Sequence, residues 1–145
     1  MSKLQTIVDY CLAELREISV ANGYNLNVDK VNEWREMPQA NKEDRIGINF
    51  RDVEISSEPL ADTGEMRTIT VEVEGYVRKG QATPTEARKV IEDVLAAMGS
   101  IEVYDDIVHD ITLLDVSIEM EHNEKMDAVF VCRFAIEYLA DRFEL

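Results

Sequence analysis

The sequence predicts an α+β fold: a mostly antiparallel sheet of four to five strands, with two helices packed on one face. Three observations predict it. Ile111 to Glu121 and Met126 to Tyr138 each alternate apolar with other residues, and a polar turn, His122-Asn123-Glu124-Lys125, joins them. Strict alternation over such lengths marks a strand with one buried face, and two such runs in succession mark an antiparallel hairpin. Residues 3–21 and 84–98 instead carry their apolar residues on one helical stripe, and a one-sided helix needs an apolar surface to cover, which the sheet offers. The expected order is α-β-β-β-α-β-β in a single domain, 1–145.

Each element has a local reason. Ser2 and Gln5 stand at capping-box spacing, and Leu4, Ile7, Val8, Cys11, Leu12, Leu15 and Ile18 follow as the stripe of the first helix,. Asn22-Gly23 ends it, because both residues tolerate the left-handed conformation of a helix terminus. Tyr24, Leu26 and Val28 alternate, which places a short strand within 24–35. Met37 to Asp44 is a polar connection. Ile46, Ile48 and Phe50 alternate, and Val53 and Ile55 continue on the opposite parity, so a bulge is expected near Arg51-Asp52,. Residues 56–65 (SSEPLADTGE) are rich in turn formers and read as a flexible loop,. Ile69, Val71, Val73 and Val77 form the next strand, and residues 79–82 turn the chain. Thr83 caps the second helix, Pro84 takes its first position and Glu86 completes a capping box,. Ala87, Val90, Ile91, Val94, Leu95 and Met98 are its buried stripe, and Gly99 ends it. Residues 101–110 are acidic and fit a helical turn. Facing the helix stripes to the apolar strand parity gives an expected core of Leu4, Ile7, Cys11, Leu15, Val71, Val73, Val90, Ile91, Val94, Leu114, Val116, Ile118, Phe130, Phe134 and Ile136,.

The 145 residues suit one domain with one core,. Thirty acidic residues against 15 basic give a net charge of −15. The excess is uneven: residues 90–145 hold 14 acidic and 3 basic residues, a net of −11. Such a field repels phosphate backbones, so gripping nucleic acid is not expected. No apolar run approaches the roughly 20 residues that span a bilayer. Asp9 follows the first residues too soon for a secretory signal,. Cys11 and Cys132 each sit on an apolar stripe and read as buried thiols of a reducing compartment,.

No catalytic, cofactor-binding or metal-binding motif is legible. The six glycines are isolated, so no phosphate-cradling loop exists,. His109 has Asp105 and Asp106 within helical reach, as a histidine–carboxylate pair would need, but neighbouring acids are common in so acidic a segment. His122 sits among Glu119, Glu121 and Glu124, oxygens that suit a hard cation, without the ligand spacing of a calcium loop,. One feature stands out. The last strand is apolar on both faces: Met126, Ala128, Phe130, Cys132, Phe134, Ile136 and Tyr138 on one, Val129, Val131 and Ala135 on the other, with Leu139 following. Either other elements of the chain cover both faces, or a second subunit covers one. The neighbouring strand, with Asp115, Glu119 and Glu121 outward, reads as solvent-facing. The candidate subunit interface is Val129, Val131 and Leu139.

Four segments together resemble the small tail-terminator and tail-completion (minor tail) proteins of long-tailed bacteriophages. They are Ala21-Asn22-Gly23-Tyr24-Asn25 after the first helix; the strand from Arg45 to Phe50; Met66 to Gly75 ahead of a helix rich in Ala, Arg, Asp and Val; and a final strand ending Phe134-Ala135-Ile136-Glu137-Tyr138. This chain lacks the proline usual at the start of the second segment. The resemblance implies an α+β fold and a homo-oligomeric ring, commonly hexameric, that caps the tail tube and joins it to the head. It implies as partners other copies of the chain, a tail-tube protein and a head-connector or neck protein, with DNA passing nearby unbound and no membrane. It implies assembly in the host cytoplasm and a place in the virion tail. No catalytic residue and no cofactor come with it. A neck or head-completion protein, and an intracellular acidic binding module, are the alternatives that fit the same sequence.

Overall fold

The structure, a computed structural model, describes residues 2–34, 45–60, 64–78, 84–103, 107–122 and 126–145. Helix α1 spans Lys3–Arg16 and α2 spans Pro84–Gly99; the strands are β1 (Lys30–Glu33), β2 (Ile46–Pro59), β3 (Gly64–Arg78), β4 (Asp110–His122) and β5 (Met126–Asp141). The chain is α+β with a five-stranded sheet in the order β1-β2-β3-β5-β4. Among the described residues β1 and β2 pair in parallel, and the other neighbours are antiparallel.

Local chemistry sets the ends of α1. The Ser2 hydroxyl accepts the Gln5 N–H at 3.1 Å, while the Gln5 amide donates to Asp9 rather than back toward the cap. The helix stops at Arg16, earlier than the predicted residue 21, and a separate 3-10 turn, Val20–Asn22, follows. Gly23 closes that turn at φ 91°, a backbone angle glycine adopts without a Cβ clash,. The strand expected within 24–35 shortens to β1 because the segment before it is tied elsewhere. Asn25 and Leu26 donate their N–H groups to Asp93 of α2.

β2 bulges between Asp52 and Glu54, where the alternation changes parity,. The loop predicted over 56–65 is mostly strand. β2 continues to Pro59 and pairs Ser56, Ser57, Glu58 and Pro59 with Thr68, Arg67, Met66 and Glu65. Residues 61–63 lie outside the described residues, so the flexibility expected there has no structural counterpart here. Turn-forming residues are accommodated because polar side chains knit the arm: Arg67 Nη2 meets Glu65 Oε2 at 2.9 Å, and Ser57 donates to the same oxygen at 2.8 Å. Among the described residues Pro59 sits where β2 has no neighbour beyond β3, which spares a ladder hydrogen bond,. The expected helical turn after α2 is a 3-10 turn, Ser100–Val103. The Thr83 cap, the connection 37–44, the turn 79–82 and the tip of the last hairpin lie outside the described residues.

Burial alternates along β3 and β5. Ile69, Val71, Val73, Phe130, Cys132, Phe134, Ile136 and Tyr138 are buried together with the stripes of α1 and α2 in one core. Both helices therefore cover the same face of the sheet. Of the expected core, Leu114, Val116 and Ile118 are exposed. Val116 and Ile118 pair with Cys132 and Phe130, so their face is the predicted one, but both side chains stay more than a third exposed. Two helices side by side cover roughly 20 Å, about four strand spacings of ~4.8 Å. α1 packs on β1, α2 packs mainly on β5 and β3, and β4 meets only the margin of α2 and the 3-10 turn after it.

Candidate interaction surface

Among the described residues no helix or second sheet lies over the face turned away from α1 and α2, and its side chains pair with one another. Asp115 of β4, Arg133 of β5, Glu72 of β3, Arg51 of β2 and Glu74 of β3 form a ladder of alternating charge across four strands. Its successive separations are 3.0, 3.9, 2.9 and 2.9 Å. Asn49 donates to Glu74 at 3.0 Å. Opposite charges on neighbouring strands each stabilise by a few tenths of a kcal/mol, up to about 1 kcal/mol. Tyr76 lies flat against Gly47, where a Cβ would run into the phenol ring, and the Arg78 guanidinium sits 5.0 Å above that ring.

Val129, Val131 and Leu139, the residues the sequence singles out, all stand on this open face in the outward register of β5. Val129 and Val131 are half-buried beside Glu74, Tyr76, Ser117 and Glu119, their cross-strand partners. Leu139 is 46% exposed. The three therefore share a face without forming one continuous patch: Arg133, Ala135 and Glu137 lie between Val131 and Leu139.

The larger apolar surface was not anticipated. Among the described residues β4 is the outermost strand with one edge unpaired, and Leu113, Leu114, Val116 and Ile118 along it are 44, 46, 37 and 46% exposed. Its alternation shows which residues share a face. Only the width of the helix layer shows that the face is bare. Asp93 was also missed. It stands between Val90 and Ala97 on the buried stripe of α2, and an acid in that position is the signal that it serves the backbone of another element.

The remaining sequence candidates separate. His109 is exposed and its backbone N–H donates to Glu137 O at 2.8 Å; Asp105 and Asp106 lie outside the described residues, as do the side chain of His122 and residue Glu124. Among the described residues no group of three or more His, Cys, Asp or Glu is placed to hold a metal ion. Both cysteines are free and buried. Burial pushes the Cys11 thiol far above its ordinary range and the Cys132 thiol up to about 12. Neither ionises near neutral pH, and a thiol that stays protonated is a poor nucleophile. A cavity of about 560 Å³ lies between the start of α1 and residues 140–145, lined by Ser2, Lys3, Ala140, Asp141, Glu144 and Leu145. Lys3 closes one side by donating to Leu139 O at 2.9 Å. None of the predicted chemical candidates lines it. Among the described residues no helix is long and apolar enough to cross a membrane. No protein-family profile matches this chain, and no curated protein matches it.

Proposed function

We infer that the chain is a structural assembly subunit of a long-tailed phage or prophage tail, one that forms a ring on the end of the tail tube and joins it to the head. The observation that carries the reading is the one-sided sheet. Helices bury one face, and the other offers Val129, Val131 and Leu139 on a rigid, charge-laddered surface. Mixed apolar and polar character is normal for a surface that is covered only on association. A ring requires that this face meet a different surface of the next copy, since head-to-tail contacts close into rings. The sequence resemblance supplies the tail assignment, and the acidic surplus suits a ring through which DNA passes without adhering.

Sedimentation velocity on the purified chain, alone and with tail tubes, tests this. The wild type is expected to form rings, alone or on the tubes, and Val131→Glu to leave a folded monomer by circular dichroism, because an unpaired charge inside a subunit interface costs several kcal/mol. Salt should favour the ring: with a net charge of −15 the subunits repel, and the Debye length falls from about 30 Å at 0.01 M to about 8 Å at 0.15 M. A wild type that stays monomeric on tail tubes overturns the reading.

A further inference from the structure

The two faces of β4 differ in chemistry. Toward the helix side it presents Leu113, Val116 and Ile118, flanked by half-buried Ile111 and Met120. Toward the open face it presents Thr112, Asp115, Ser117 and Glu119, and its register sets Asp110 opposite Glu137 and Glu121 opposite Asp127. Arg133 answers Asp115 at 3.0 Å. Among the described residues no cation stands within ion-pair distance of Glu119. A long edge strand with bare apolar side chains is a template on which another strand pairs, and proteins ordinarily blunt such edges with lysine, proline or a covering loop. β4 carries no lysine and no proline.

A second copy does not supply a matching strand. Among the described residues the other long free edge is the part of β2 beyond Phe50, and it carries Asp52, Glu54 and Glu58, while its Arg51 is engaged by Glu72 and Glu74. β4 against β4 would set acid rows side by side, and like charges on adjacent strands are destabilising. The segment Arg45 to Arg51 does alternate apolar with neutral or basic residues, but it runs between β1 and β3 and has no edge to offer. Residues 90–145 contain only Lys125, Arg133 and Arg142 as bases.

We propose that β4 docks an extended segment of a different protein, a strand in which apolar residues alternate with lysine or arginine. Its apolar side chains extend the row Leu113, Val116 and Ile118, and its cations lie over Asp115, Glu119 and the acids opposite β5. Backbone hydrogen bonds along the free edge supply affinity, and the alternation supplies specificity. This stands apart from the ring: ring formation is read at Val131 on the sheet face, strand docking at the sheet edge.

The test uses the full chain and a fluorescent, N-acetylated peptide of alternating valine and lysine, read by anisotropy and by hydrogen–deuterium exchange. Binding should slow exchange across residues 111–120 and weaken as salt rises from about 0.05 M to about 0.3 M. Two control peptides should bind about tenfold or more weakly, the order of change that one lost charge-assisted contact produces. One alternates valine with glutamate. The other has the valine–lysine composition in two blocks. Ile118→Lys, at an exposed position, should fold as the wild type does and lose binding to the same extent. Equal binding of the block peptide would show attraction to net charge alone and overturn the proposal. So would binding without protection of β4, or full binding by Ile118→Lys. Protection of β4 in the free chain on self-association would assign the edge to a second copy and overturn it too.

Discussion

The carboxylate of Asp93 and the backbone of Leu26, 67 positions apart in sequence, meet at 3.0 Å. The other carboxylate oxygen takes the Asn25 N–H at 2.9 Å. Asp93 is buried, so the contact fastens the segment entering β1 to the middle of α2. Asp93→Ala removes the acceptor of two backbone donors, that of exposed Asn25 and that of half-buried Leu26. A loss of about 1–3 kcal/mol is expected, measured by urea denaturation. A change below about 0.5 kcal/mol, the level of an ordinary surface substitution, would show that the backbone finds other partners.

Phe134 and Ile118 separate a covered strand from an uncovered one. Phe134 is buried on β5, and Ile118 stands bare on β4, although both belong to the same face of the sheet. Phe134→Ala should cost about 3–5 kcal/mol. Ile118→Ala should stay within about 0.5 kcal/mol. Similar costs at the two sites would mean that something covers β4 in the free chain.

That contrast marks how much was legible in the sequence. Alternation identifies the middles of β2, β3, β4 and β5, their faces and the bulge near Asp52, because side-chain direction follows from the pleat; the alternating Tyr24, Leu26 and Val28 lie ahead of β1. Alternation is silent on what lies above a face. Val116 and Phe134 obey the same rule, and only the reach of two helices across five strands distinguishes them. Residues 56–65 read as a loop because serine, proline and glycine carry turn propensity. The Arg67–Glu65–Ser57 cluster that holds the arm at 56–59 and 64–67 as strand links positions on two different strands, a pairing that local propensity does not contain. Of the candidate site, the alternation puts Val129, Val131 and Leu139 opposite the core-facing positions of β5, as the register does, while the apolar edge of β4 is visible only in three dimensions.

Glu65 gives the arm a pH dependence. The hydrogen bond from Arg67, then that from Ser57, holds its carboxyl below the ordinary glutamate value of 4.5. A depressed folded value means that its stabilising contribution is complete above the ordinary value and is lost as pH falls through the lowered one. Comparing urea midpoints of the wild type and Glu65→Gln tests the sign. The wild type should be the more stable at neutral pH, and the gap should close below the ordinary value. A gap that widens in acid would reverse the assignment.

His109 is exposed and contributes its backbone N–H to the sheet margin. Alanine retains that N–H. His109→Ala should therefore leave folding and assembly unchanged, read by sedimentation velocity and circular dichroism. A folded variant with altered assembly would give the imidazole a role that its position does not suggest.

The strand order has a consequence for how the chain is made. β3 lies between β2 and β5, so an interior place in the sheet is reserved for the strand synthesised after all the others. Until β5 emerges, β3 offers the nascent chain a free flank of alternating Ile69, Val71 and Val73, and β4 has no partner at all. The pairing of Arg78 with Asp127 closes a long segment that holds α2 and β4, and such non-local closure is slow. An unpaired strand flank exposed in that interval is a site for wrong partners. Translation that stalls between α2 and β5 should therefore yield aggregates rather than a smaller folded unit.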